Sequence, residues 1–547
     1  MAIDLPPVMP PQLATHVQIE AAAQANAEAI TAVVAGITLR VVGNQYLSPA
    51  QITAILSAAE TPSAAITALT RRYYNAGYLL VSVSYFRVDD TVTILVNQAA
   101  VKGFRGNPAI TAHFDGLVGD PDLSLAEFDR ARVLADLHAQ RAGLAYSIAY
   151  EQHYDNQVIL DFREVPVDNH DATDVVLEAN NKGSRFLGRY FGLAGVRHRF
   201  TSGTEASVAY KTIFEEFGEA GDGDGYQQMD ISIEHPFTFG LYGLDLTRIE
   251  YERQPVVGGG ATTGGLLGLC LPPLISCTPS GGSTVVDLDA KIDIAALSGE
   301  QVLYSNPVRR WSVFERIEYV NSEIQSDLQS QPLLDESYQT LELGAKYSVR
   351  GALGQSPSYF KAQLSVRGGF GDGGSLESNR SDGVGIGQRS ADFLMLRPKL
   401  GYKLALAPQY ELALNLDGQF TDNTQLPQQQ QYVLGGMNSL SAYLPGVLIG
   451  DNGYFLHAAI NAKQRVWGMP MEASIFVEYG ATSFNNVSGE LGSDQIVADA
   501  GVRLSLELAY GFETELVAAA PLMDDVVDQA RLDTLEADFF WRLRWTF

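Results

Sequence analysis

From about Asp174 to the C-terminus, apolar and polar residues alternate along the chain with a period of two. In residues 338–350, Leu341, Leu343, Ala345, Tyr347 and Val349 fall on one side, and Glu342, Gly344, Lys346, Ser348 and Arg350 on the other. Residues 360–367 repeat the pattern, with Phe360, Ala362, Leu364 and Val366 set against Lys361, Gln363, Ser365 and Arg367. Residues 455–466 and 496–508 read the same way. Period two is the side-chain repeat of a β-strand. A charged polar side on strands of roughly ten residues suits a wall with lipid on one face and water on the other.

The connections separate a membrane barrel from a soluble sandwich. About sixteen strands are predicted, an even number as bacterial barrels require. Short turns at 201–203, 237–242, 305–310, 407–409, 468–470 and 510–511 alternate with long loops at 254–283, 371–390, 421–453, 484–493 and 523–533. Such parity puts every long loop at one end of a barrel; a sandwich has no reason to show it. The last strand alternates Phe539, Trp541, Leu543, Trp545 and Phe547 with Phe540, Arg542, Arg544 and Thr546. Trp545 and the terminal Phe547 are the expected signal for outer-membrane assembly machinery, and aromatics at both ends would form interfacial girdles.

Ahead of the barrel, two segments share the order β-α-α-β-β. In the first, residues 37–98, a strand at 37–43 is followed by a short helix opened by Ser48 and Pro49, a second helix at 63–74 ending at Gly77, and strands at 79–87 and 91–97. In the second, residues 99–167, a strand at 100–104 precedes a weak helix at 112–118, a strong one at 125–139 and strands at 145–152 and 157–163, joined by Tyr154, Asp155 and Asn156. Each module would offer a strand edge and a groove to an extended peptide. Leu69, Tyr73, Tyr74, Leu79, Val81 and Val83 are the expected cargo-binding surface. Residues 1–36 form an N-terminal extension; its stretch 13–35 is Ala-rich enough for a helix, and reads either as a pore plug or as a linker.

Composition narrows the function classes. A net charge of −27 excludes a nucleic-acid binder, which needs a basic surface. No apolar run is long enough for a transmembrane helix. Met1-Ala2-Ile3-Asp4 lacks the segments of an export signal, so a mature form is expected, since a barrel must be exported. Cys270 and Cys277 lie in a Gly/Pro-rich stretch and would form a local disulfide in an oxidising compartment. No enzymatic constellation, metal site or cofactor motif is found: the eight histidines are scattered singly, and Asp89-Asp90 and Asp524-Asp525 have no partner base. The chain reads as a non-enzyme without cofactor or metal.

Taken together, the architecture resembles the two-partner secretion transporters, the haemolysin- and haemagglutinin-exporting branch of the POTRA-plus-barrel superfamily. Residues 181–188, Asn-Lys-Gly-Ser-Arg-Phe-Leu-Gly, look like that family's entry segment after the first barrel strand. The long loop at 421–453, with Gly435, Gly436, Leu440-Ser441-Ala442-Tyr443 and Asp451, resembles the loop that folds back into the family's barrel. There the loop tip carries an arginine that pairs with an acid on the inner wall. Here Ser441 stands at the arginine position and Glu478 at the acid's, so Lys463 or Arg465 would have to supply the cation, or the loop is held through its glycine-rich base and Tyr443.

The resemblance implies a membrane all-β barrel (172–547) of about 16 antiparallel strands behind two α+β POTRA domains, in a Gram-negative outer membrane with those domains in the periplasm. It implies a translocase for a large unfolded exoprotein. Its other partners would be lipid and lipopolysaccharide, and the barrel-assembly machinery during biogenesis. The alternatives are an outer-membrane assembly factor of the same superfamily and a passive pore.

Overall fold

The computed structural model describes residues 2–15, 29–153, 157–184, 187–214, 225–253, 256–258, 283–285, 287–327, 329–371, 389–486 and 494–547. The expected disulfide pair, Cys270 and Cys277, lies outside the described residues, as do Arg185 and Phe186 of the entry segment and the turn at 154–156.

The first domain comprises β1 (Gln12–Leu13), β2 (Ile30–Val34), β3 (Ile37–Val42), α1 (Pro49–Ser57), α2 (Pro62–Asn75), β4 (Val81–Val88) and β5 (Thr91–Gln98), with sheet order β1-β4-β5-β3-β2. Helix α1 starts where Ser48 accepts the Gln51 N–H and the Gln51 side chain reaches back to the Ser48 backbone, a reciprocal cap. On α2, Ala65, Ile66, Leu69 and Tyr73 recur at helical spacing and pack on the sheet. This corrects the expected cargo surface: Leu69, Tyr73, Val81 and Val83 are buried in this core, and Leu79 is buried in the core of the next domain. One apolar stripe cannot both cover the sheet and face a ligand. Tyr74 is half-buried and donates its hydroxyl to the Pro6 carbonyl at 2.7 Å.

The second domain comprises β6 (Ala100–Arg105), α3 (Pro108–Thr111) running into a 3-10 turn (Ala112–Leu117), α4 (Leu125–Arg141), β7 (Leu144–His153) and β8 (Gln157–Pro166), ordered β6-β8-β7. The N-terminal extension is neither a plug nor a loose linker where it is described. Ile3 and Met9 are buried in the second domain's core, Ile3 bridges Tyr146 of β7, β1 pairs with β4, and residues 30–34, which read as part of a plug helix or a linker, form β2 against β3. The helix expectation rested on alanine content; Ile30, Val33 and Val34 are better strand formers, and an open sheet edge is there to receive them.

The remaining strands close a sixteen-stranded antiparallel barrel. They are β9 (Thr173–Asn180), β10 (Phe191–Arg199), β11 (Glu205–Ile213), β12 (Gly225–Phe237), β13 (Gly240–Arg253), β16 (Leu288–Ser305), β17 (Arg309–Ser326), β18 (Gln329–Leu353), β19 (Ser356–Phe370), β20 (Phe393–Ala407), β21 (Tyr410–Thr421), β24 (Asn452–Val466), β25 (Met469–Ser483), β26 (Gln495–Glu507), β27 (Phe512–Asp525) and β28 (Phe540–Thr546). Two short hairpins, β14 (Val256–Gly258) with β15 (Ser283–Val285) and β22 (Tyr432–Leu434) with β23 (Leu448–Gly450), lie in loops at the far end, opposite the N-terminal domains.

Closure leaves no sheet edge, the condition for β-structure in lipid. Leu341, Leu343, Leu364, Val366, Ile475 and Val477 point outward and are exposed, while Glu342, Ser365, Arg367 and Glu478 on the alternate positions are buried inside. Phe200, Phe237, Phe239, Trp467, Tyr510 and Phe547 ring the domain end, and Phe214, Phe370, Phe420 and Phe539 the far end. Two details differ from expectation. β16 to β19 run 15 to 25 residues, well past a ten-residue span, and the β17–β18 ladder continues at the far end to the pair Ser326 and Gln329, so no long loop joins these two strands.

Candidate functional site

The long loop between β21 and β24 enters the barrel and crosses it. Near its start, Gln430 donates to Glu318 at 3.3 Å and accepts from Arg367 at 2.8 Å, reaching the β17–β19 wall. Arg367 in turn forks onto Glu342, which also takes Arg397 and the Ser365 hydroxyl. Glu336 receives Arg389 at 2.9 Å and the Gln428 N–H at 3.3 Å. At the return of the loop, Asp451 is fully buried and accepts the N–H groups of Leu426 at 2.8 Å and Asn485 at 2.9 Å.

The tip reaches the other wall, β25 and β26. Gly435 and Gly436 have φ of +114° and +93°, and a Cβ on Gly435 would lie 2.2 Å from the Leu444 carbonyl, so the hairpin can close only with glycine there. Leu440 is also left-handed, at φ +51°, and its carbonyl accepts the Tyr443 N–H at 3.0 Å. That turn aims two successive peptide N–H groups the same way, a concavity suited to anions. Ser441 N–H donates to Glu478 Oε2 and Ala442 N–H to Asp499 Oδ2, each at 2.7 Å. Glu478 and Asp499 are cross-strand partners and both fully buried.

The two wall acids are therefore met by loop backbone and not by a loop side-chain cation, while Arg503 of β26 donates to the Met437 carbonyl at 2.8 Å. The Ser441 hydroxyl turns back onto the Met437 carbonyl at 3.3 Å. Neither proposed cation reaches Glu478: Lys463 sits 3.9 Å from Glu472, and both Lys463 and Arg465 are exposed toward the domain end of β24. His457 Nδ1 lies 2.9 Å from Glu478 Oε1 instead. Tyr443 is buried among Leu434, Leu440, Val447, Leu448, Val497 and Leu532. The expected external loop at 523–533 instead holds the end of β27 and most of α5 (Gln529–Thr534), and the segment 526–539 clamps the tip from behind: Leu444 N–H donates to Leu535 O at 2.7 Å and Ala537 N–H to Ala442 O at 2.8 Å.

Two further contacts frame the lumen. At the closing seam, Asn181 exchanges backbone and side-chain hydrogen bonds with Trp541 and Phe539, and Phe547 pairs both ways with Val175. At the domain end, α4 docks on the turn after β10. Arg141 donates to the Gly203 carbonyl at 3.2 Å and pairs with Glu234, and His138 lies so close that a Cβ on Gly203 would be 2.6 Å from its ring. His113 and His138 meet at 3.4 Å in the same junction. Burial, then the neighbouring His138 and His235, push His113 down to about 4; burial likewise lowers His138.

The order of elements, the closed sixteen-strand wall and the inward loop together decide the fold class. The chain has the fold of the POTRA-plus-barrel outer-membrane proteins. CdiB from Escherichia coli matches with a TM-score of 0.68 at 13% identity, over 96% of this chain and 92% of that one. CdiB from Acinetobacter baumannii matches at 0.60 and 14% identity, over 95% and 91%. The BamA structure from Haemophilus ducreyi lacking POTRA domains 1–3 matches at 0.50 and 12%, over 94% of this chain and all of that one. At such identities the likeness is one of fold. No family model and no curated sequence matches the chain. In that fold, β9 to β28 form the closed barrel, and the tip residues Ser441, Ala442 and Tyr443 lie inside it.

Among the residues named from sequence, Gly435, Gly436, Ser441, Tyr443, Asp451 and Glu478 come together in this loop assembly. Asp499, Gln430, Arg367, Glu342 and the 526–539 clamp were not found from sequence. Asp499 lies on the lumenal alternation of β26, yet only the register with β25 puts it opposite Glu478.

Proposed function

We propose that this protein is an outer-membrane translocase: its N-terminal domains, lying in the periplasm, receive one unfolded exoprotein and pass it through the barrel to the cell surface. The observation that carries this reading is the loop crossing the lumen. A closed barrel with charged walls is a conduit, and this one is stoppered by a segment held entirely by noncovalent bonds to both walls. Each such bond is worth only about 1–3 kcal/mol net, so an entering chain that competes for the same carboxylates can displace the loop stepwise. No nucleotide is required; folding of the exoprotein outside supplies direction.

Deleting the gene should leave one large exoprotein trapped in the periplasm while others reach the surface. Export of every exoprotein at the normal rate would overturn the proposal. A broad fall in many outer-membrane proteins would favour an assembly factor, the reading that fits the BamA-like fold.

A further inference from the structure

Glu315 lies on the outer, lipid-facing side of the barrel wall. In β17 the lumenal positions carry Arg316 and Glu318, which meet Asp245 and Gln430, while Trp311, Ile317 and Tyr319 on the alternate positions are exposed outward. Glu315 belongs to the outward set, opposite Gly299 of β16 and the exposed Leu343 of β18. A carboxylate on that face is costly, and an ionisable group kept there calls for a partner. Among the described residues Glu315 forms no ion pair; it accepts one hydrogen bond, from Gln301.

The wall is shaped around this carboxylate. Gln301 Nε2 donates to Glu315 Oε1 at 2.7 Å and to the Tyr242 hydroxyl oxygen at 2.6 Å. Tyr242 of β13 and Glu315 of β17 reach over Gly299 of β16 from opposite sides: a Cβ there would lie 2.2 Å from Glu315 Oε1 and 2.6 Å from the Tyr242 ring. A Cβ on Gly240 would lie 2.9 Å from the same ring. Two bare positions thus make room for ring and carboxylate together. The Gln301 amide donors are spent on these two oxygens. Glu315 Oε2 and the Gln301 carbonyl oxygen remain as acceptors, and the Tyr242 O–H as a donor.

The cluster lies toward the domain end. The Tyr242 ring is 5.3 Å from Phe239 and 6.0 Å from Phe237, two members of the aromatic ring there. Trp311 is two outward positions below Glu315, about 13 Å along the strand, and Glu315 leans back over β16 toward Tyr242. Headgroups give way to acyl chains at this depth. We infer that Glu315, Gln301 and Tyr242 seat the headgroup of an aminophospholipid with a free primary ammonium, in the leaflet on the side of the N-terminal domains. The ammonium supplies the missing cation and N–H donors for both acceptors, and its phosphate takes the Tyr242 hydroxyl. A quaternary ammonium has no N–H to give, and an anionic headgroup is repelled. The seat goes beyond passenger handling: it ties the barrel to one class of lipid.

The test uses the full chain in detergent. Phosphatidylethanolamine or phosphatidylcholine of identical acyl chains is added at equal concentration, and bound lipid is counted by native mass spectrometry. Wild type should retain phosphatidylethanolamine about fivefold or more over phosphatidylcholine, and Glu315→Gln should bring that ratio close to one. Removing a charge from the lipid face leaves the barrel folded, which heat-modified mobility on gels checks. Equal retention of the two lipids by wild type, or an unchanged ratio in Glu315→Gln, overturns the inference.

Gly299→Val reaches the same end by another route, since its side chain takes the space of the carboxylate and the ring. The ratio should fall although Glu315 is still present; an unchanged ratio overturns the seat. Tyr242→Phe should lower retention of both lipids by the same factor, because the phosphate is common to the two. Self-association of the chain that depends on Glu315, with no headgroup preference, would make a second copy the occupant and overturns the lipid seat.

Discussion

The peptide N–H of Ala442 donates to the Asp499 carboxylate at 2.7 Å, one residue after the Ser441 N–H donates to Glu478 at the same distance. Two successive backbone donors on two wall acids do the work of a guanidinium fork. The left-handed Leu440 makes the aim possible, since it turns both N–H groups toward β25 and β26. The Ser441 hydroxyl is thereby uncoupled from the anchor.

Ser441→Ala should leave the loop seated, because the hydroxyl bonds only the Met437 carbonyl within the loop itself. Glu478→Ala should strand a buried N–H and cost about 1–3 kcal/mol at the tip. In planar bilayers the first should conduct like wild type and the second should open roughly ten to a hundred times more often. Equal conductance of the two variants would refute the backbone anchor.

Restoring an arginine should harm, not help. Ser441 is fully buried and Glu478 is already occupied by a peptide N–H and by His457. Ser441→Arg would force a long cation into filled space, a kind of overpacking that costs about 1–3 kcal/mol. Conductance should rise and thermal stability of the folded band on gels should fall; a stabilised, quieter channel would contradict the packing described here.

Docking of the second domain should depend on Gly203. Any Cβ there meets the His138 ring at 2.6 Å, and Gly203 has φ +77°. Gly203→Val should swing α4 off the turn and break the Arg141 contacts to Gly203 and Glu234. Proteolysis between domain and barrel, slow in wild type, should accelerate while the barrel itself stays folded.

Acid should loosen the same junction. His113 is held neutral by burial with a pKa of about 4, against an ordinary value of 6.5, and His138 is lowered too. Below pH 6.5 the unfolded domain binds protons that the folded one refuses, so the stability these residues contribute is complete above that pH and is lost as pH falls toward 4. At about 1.4 kcal/mol per pH unit, His113 alone accounts for roughly 3 kcal/mol. Domain melting followed from pH 7 to 4.5 should show this slope, and His113→Phe should flatten it.

The seam should be sensitive to Asn181, whose side chain accepts the Trp541 N–H at 2.6 Å and donates to the Phe539 carbonyl at 3.0 Å. These bonds extend the short β9–β28 ladder, which has five register pairs. Asn181→Ala should lower the unfolding temperature of the barrel, by an amount consistent with about 1–3 kcal/mol, whereas Asn181→Asp, lacking the donor, should recover part of it.

Much of this architecture was readable from local rules. Alternation of Leu341, Leu343, Leu364 and Val366 with Glu342, Ser365 and Arg367 dictates which face meets lipid, because a strand has only two faces and charge in hydrocarbon is expensive. Short turns and long loops dictate which end is which. The helix caps at Ser48 and Ser124 are likewise local events.

What the chain alone did not disclose depends on neighbours distant in sequence. Leu69, Tyr73 and Val83 read as a ligand surface because an apolar stripe looks the same whether it meets a sheet or a peptide. The arm at 30–34 read as helix or linker because propensity counts residues, while the open edge of β3 that recruits it is a tertiary object. Asp499 was an isolated acid until the β25–β26 register set it opposite Glu478. Periodicity is written in consecutive residues and survives in the sequence. Register, closure and the seating of a loop across a lumen are relations between segments hundreds of residues apart, and they exist only once the barrel has closed.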